Sequence, residues 1–168
     1  MRIVRFSAAV LFAAIPAFTT ATAARAFDPI VSLQGEHMTI HPNGATDEIL
    51  ATKEGTDGKI GILTLSDLVG GGGPGPAIVH ANEAEFWYVL EGTYEFHIGD
   101  KVVEGGPGTF VAVDAGQPHG FITKTPGKLL VIFTPGGYEQ FFVDWEKQSL
   151  KPGPELGALE ESYGVTRP

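Results

Sequence analysis

Between residues 76 and 134, glycine and proline interrupt the chain too often for a long helix to form. Ala77-Ile78-Val79-His80 leads into the polar turn Ala81-Asn82-Glu83. Glu85 to Leu90, rich in aromatic and β-branched residues, stops at Glu91-Gly92. Thr93 to Ile98 alternates, with Tyr94, Phe96 and Ile98 on one face and Glu95 and His97 on the other. Gly99-Asp100, Gly105-Gly106-Pro107-Gly108, Ala115-Gly116-Gln117-Pro118 and Pro126-Gly127 bound further runs at Lys101 to Val103, Thr109 to Val113, Phe121 to Thr123 and Lys128 to Phe133. Runs this short and this regularly punctuated predict an all-β architecture. A single antiparallel β-barrel or jelly roll is the arrangement that shelters their edges.

The flanks follow different rules. Residues 27–69 read as further strands with wider loops, Lys59 to Leu65 among them. Tyr138 to Gln148 carries Phe141, Phe142 and Trp145 at helical spacing, and Glu155 to Tyr163 carries Leu156, Leu159 and Tyr163 likewise. Two short C-terminal helices on the barrel's outside are expected, within an extension of about residues 138–165. No repeat of the whole unit occurs in the 168 residues, so one barrel is expected.

Residues 1–26 read as a signal peptide rather than part of the fold. Arg2 and Arg5 form a positive start, Ala8 to Phe18 an apolar run broken only by Pro16, and Ala24-Arg25-Ala26 a small-residue cleavage signal. Ala21-Thr22-Ala23 offers an earlier cut. The run is too short to span a bilayer, which needs about 20 residues, so export to the periplasm or medium is expected rather than anchoring. Cleavage would remove Arg2, Arg5 and Arg25 and no acid, taking the net charge from −9 to −12. Such a surface repels phosphate backbones and anionic lipid and argues against nucleic-acid and membrane partners. With no cysteine, neither a disulfide framework nor a thiolate metal site is available.

Three polar side chains stand out within the strands. His80 closes one apolar run, Glu85 opens the next after a tight turn, and His119 follows Gly116-Gln117-Pro118. Residues flanking such turns can meet on one face. Two imidazoles and a carboxylate suit a divalent transition metal with positions left open for a ligand.

These residues also carry a family resemblance. Gly72, five residues, Ile78-Val79-His80, four residues, Glu85, six residues and Gly92 resemble the first motif of the cupin superfamily. Gly108, five residues, Asp114-Ala115-Gly116, Gln117-Pro118 and His119 resemble the second, with Thr123 in place of an asparagine. Phe86-Trp87-Tyr88-Val89-Leu90-Glu91-Gly92, Thr134-Pro135-Gly136-Gly137-Tyr138-Glu139-Gln140-Phe141-Phe142 and Glu161-Ser162-Tyr163-Gly164-Val165 are similar to the single-domain, quercetin-dioxygenase-like group. The resemblance implies a cupin domain over residues 27–168 with a motif core at about 72–134, and a homodimer. It also implies a metal (iron, manganese, nickel, copper or zinc) held by three histidines and a glutamate.

This chain departs from that pattern at Ile78, which stands where the first histidine belongs and has no lone pair to donate. His80, Glu85 and His119 remain as the expected ligands, with Glu85 also a candidate base and Ile78 and Trp87 expected to make the pocket apolar. The expected activity is metal-dependent, dioxygenase-like chemistry on a small hydrophobic or aromatic molecule. The alternative is a non-catalytic binding or structural cupin with a degenerate site.

Other candidates read as ordinary. His37 and His41 would lie about 13 Å apart on an extended segment, a solvated pair. His97 is expected on the outer face, and Glu83 in a solvated turn. Gly70 to Gly75 lacks the Lys-Ser/Thr of a phosphate-binding loop and reads as a flexible lip at the barrel mouth. No Gly-x-Ser-x-Gly occurs, so a serine hydrolase of that type has no support.

Overall fold

A computed structural model of the chain describes residues 27–68 and 73–168. The expected signal peptide, motif residue Gly72 and the first half of the glycine-rich lip lie outside the described residues.

Each predicted run is a strand. β1 spans Met38–Ile40, β2 Thr46–Ala51, β3 Gly61–Leu68, β4 Gly75–His80, β5 Ala84–Glu91 and β6 Tyr94–Ile98. β7 spans Lys101–Gly105, β8 Phe110–Val113, β9 His119–Thr123, β10 Gly127–Thr134 and β11 Val165–Thr166. They form two antiparallel sheets, ordered β1-β2-β3-β10-β5-β8 and β11-β4-β9-β6-β7. From β3 onward the chain crosses repeatedly between the sheets, which is jelly-roll topology. Among the described residues the sheets face each other as a sandwich and do not join into one continuous barrel.

Strand alternation builds the core. On β5, Glu85, Trp87 and Val89 point inward while Tyr88 and Leu90 face out; on β10, Leu129, Val131 and Phe133 do the inward packing. Tyr94, Phe96 and Phe121 oppose them from the second sheet. Trp87 stacks on Phe96 at 5.5 Å and meets Phe121 edge-on at 5.4 Å, favourable aromatic geometry. Gly92 shows why its motif position needs glycine. Its φ is +79°, and a Cβ there would lie 2.7 Å from the Pro126 carbonyl oxygen.

Two helices follow, α1 over Glu139–Gln148 and α2 over Pro154–Ser162, close to the predicted spans. Their placement differs from the expectation. Phe141, Phe142 and Trp145 of α1 and Leu156 and Glu160 of α2 line a cavity that reaches inward to His80, so the helices wall the interior instead of coating the outside. None of the described helices is long and apolar enough to cross a membrane.

Candidate metal centre

His80, Glu85 and His119 converge. One ligand atom from each lies within 4.8 Å of the other two, and all three residues are buried. The geometry that achieves this is not the expected pairing of adjacent strands. β4 and β5 belong to opposite sheets, so His80 and Glu85 meet across the sandwich interior. β9 then brings His119 alongside β4, where it pairs with Ile78. The turn before β9 is docked by the Gly116 N–H, which donates to the His80 carbonyl at 2.8 Å. Gly116 has φ +79°, a left-handed conformation that glycine adopts freely.

Two of the three side chains are oriented by a hydrogen bond from or to another group. The Trp87 Nε1–H donates to Glu85 Oε1 at 2.7 Å, which leaves Oε2 facing the two imidazoles. His119 Nδ1–H donates to the Gln117 carbonyl at 2.6 Å, and Nε2 lies within hydrogen-bond distance of Glu85 Oε2 at 2.9 Å. His80 Nε2 lies 3.3 Å from the same oxygen, and its Nδ1 lies 3.7 Å from Glu83 Oε2. Carboxylate or carbonyl partners behind histidines are the usual outer support of metal ligands.

The charges follow from this packing. Burial works against an imidazolium, yet Glu83 and Glu85 outweigh it and hold His80 up to about 9. Burial likewise works against the Glu85 carboxylate, yet His119 and His80 outweigh it and hold that group down to about 2. Among the described residues neither ring nitrogen of His80 has a hydrogen-bond partner, although both are buried. Buried polar atoms are rarely left this way, and a divalent cation between His80 Nε2, Glu85 Oε2 and His119 Nε2 would satisfy one of them. The donor set therefore fits a transition metal.

The remaining predicted residues fall on both sides of the cavity wall. Ile78 is buried and lines the cavity, whose volume is about 510 Å³. Trp87 lies behind Glu85 in the core and does not line it. Glu83, expected in a solvated turn, is buried, because Gly137 and the chain around Tyr163 and Gly164 border the cleft it faces. His37 is not freely solvated either; its Nδ1 lies 3.4 Å from Glu48 Oε1. His41 is exposed, and its backbone N–H donates to Glu146. His97 pairs with Glu95 at 2.9 Å away from the site, as strand parity predicts. Sequence reasoning missed the partners Gln117 and Glu83 and also Tyr138, whose ring meets His80 edge-on at 4.3 Å. Tyr138 sits within a quoted motif, but nothing local signals that it turns inward.

The family model described as Cupin domain matches residues 65–133. No curated protein matches the chain. Among solved structures, KdgF from Halomonas sp. superposes with a TM-score of 0.55 at 17% identity, covering 67% of this chain and 99% of that one. An RmlC-like cupin from Shewanella frigidimarina gives 0.55 at 18% identity, covering 67% and 96%. A Streptomyces Pac13 variant with uridine gives 0.53 at 14% identity, covering 68% and 88%; Pac13 is described as a nucleoside dehydratase. At these identities the likeness is one of fold. Taken with the two-sheet topology, it shows that the chain has the fold of these solved cupins.

Proposed function

We propose that the protein is a metal-dependent cupin enzyme acting on a small, largely apolar molecule held between the sheets. The convergence of His80, Glu85 and His119, with Glu85 and His119 each held by a hydrogen bond, carries this reading. A divalent transition metal held there would supply Lewis acidity, or electron transfer to dioxygen in the dioxygenase-like form of the reaction. The chain's own residues do the rest. Ile78, Phe121 and Phe141 exclude water and favour an aromatic ligand. Glu85, held near 2, is a poor proton acceptor at neutral pH, which favours its role as a ligand over that of a free base.

Metal analysis of the purified protein tests the reading. One metal per chain, lost in His119→Ala, supports it, and a metal-free protein that gains none on incubation with iron, manganese or zinc sinks it. Oxygen consumption with a flavonol and catechol panel then separates dioxygenase-like chemistry from the non-redox kind that the Pac13 likeness brings to mind. The second reading is a binding cupin without chemistry, which Ile78 favours by removing the fourth ligand. Export with loss of residues 1–26 completes the proposal, and the mass of the mature protein checks it. A homodimer is also proposed, supported by an exposed apolar row on the first sheet.

A further inference from the structure

The cavity has a second polar end. Arg167 lines it together with Glu160, and β11 places the arginine there. Val165 pairs with His80 and Thr166 with Val79, so the next residue in antiparallel register lies across from Ile78. The corner that lacks a histidine is therefore flanked by an arginine from the neighbouring strand.

That guanidinium is fixed in place. Its Nε and Nη2 donate to the two oxygens of Glu160 at 2.9 and 2.6 Å, and Nη1 donates to the Pro74 carbonyl at 2.7 Å. A guanidinium has five N–H groups, so one on Nη1 and one on Nη2 remain without a partner among the described residues. The Arg167 side chain is 50% exposed while Glu160 is 11% exposed, so the open part of the pair belongs to the arginine. Glu160 cancels much of its net charge, which leaves directed N–H groups as the means of recognition. Leu65, Ile78, Phe121 and Leu156 make the wall between this end and His80 apolar.

We propose that Arg167 is a ligand-recognition residue, and that the cavity selects a small molecule with an aromatic or apolar body, metal-chelating oxygens at one end and a carboxylate at the other. A carboxylate is the acceptor that two spare guanidinium N–H groups suit best. The two-residue step from Ile78 to His80 sets the ends roughly 7 Å apart along the strand, the length of a ring with a short side chain. The proposal rests on the metal-centre reading above, which supplies the chelating end. It assigns Arg167 more than the structural task of pinning the C-terminal strand to α2.

Calorimetry on zinc-loaded, anaerobic protein tests it with two probes: dihydrocaffeate, which carries a catechol and a carboxylate, and ethylcatechol, which lacks the carboxylate. The protein is expected to prefer the acid about tenfold or more, the range of a charge-assisted hydrogen bond. In Glu160→Gln/Arg167→Met, which removes both charges and leaves no buried acid unpaired, the affinity ratio is expected to fall to about one. Should that variant fail to fold, Arg167→Lys, which lacks the fork, carries the same expectation. Equal or absent binding of the two probes by the unmodified protein overturns the assignment, as does a full preference in a folded variant. Zinc content of the same samples separates the two readings. Failure to hold zinc sinks the metal centre, whereas full zinc with no preference for the acid sinks the role of Arg167 alone.

Discussion

His80 is buried and its ring nitrogens make no hydrogen bond among the described residues, yet the Glu83 and Glu85 carboxylates 3.7 and 3.3 Å away hold the imidazole up to about 9. Because the folded value lies above the ordinary 6.5, its contribution to stability is complete below pH 6.5 and is lost as pH rises through about 9. A metal must displace that same proton, so metal affinity moves the other way. Thermal melts of metal-free protein are expected to fall across this window. Competition titrations with a chelator should show zinc affinity rising by up to tenfold per pH unit, and a flat profile would remove His80 from the ligand set. Trp87→Phe deletes the N–H that steers Glu85 and should weaken zinc binding roughly 10–100-fold in the same titration. Ile78→His should strengthen it. The three converging positions were legible through the resemblance to family motifs, whose spacing this chain keeps. Their supporting groups were not, because the burial of Glu83 depends on Gly137 and Gly164, remote in sequence, and the Trp87 indole reaches Glu85 through a side-chain rotamer.

At the scale of elements, the strands between residues 76 and 134 could be read almost to their ends, since turn chemistry and alternation act locally. The helices were also legible, but not what they cover. Amphipathic spacing identifies a buried face without naming its partner, so the cavity-lining role of α1 appears only in three dimensions. One buried carboxylate ties α1 to the sheets. Glu139 Oε1 accepts the Lys53 N–H at 2.6 Å, and Oε2 accepts the Gly137 N–H at 2.7 Å. Gly61 makes room for it, because a Cβ there would collide with the carboxylate. Glu139→Ala would strand two backbone donors and should cost about 3 kcal/mol in urea unfolding. Glu139→Gln, which keeps one acceptor, should cost less. Wild-type stability in the alanine variant would mean that this carboxylate does not anchor the helix.

Across the whole molecule, an acidic chain of net charge −9 leaves one sheet face apolar. On the outside of the first sheet, Tyr88 lies between Phe110 and Leu130 in register, Phe86 lies between Ala112 and Ile132, and Phe86 stacks on Phe110 at 6.2 Å. Phe110 is 60% exposed and Tyr88 41%. β8 closes this sheet as an edge strand, and Phe110-Val111-Ala112-Val113 carries none of the charges or prolines that usually protect such an edge. A strongly acidic partner surface is tolerated only where the contact itself is uncharged, and a second copy offers the same uncharged row, so a two-fold pairing is self-complementary. Sedimentation velocity is expected to show a dimer for the unmodified protein and a monomer for Phe110→Glu, which sets two like charges against each other across the axis. Circular dichroism should be unchanged, because the Phe110 side chain is exposed on the outer face. A monomer before the substitution, or a dimer that survives it, would place the partner of this face elsewhere.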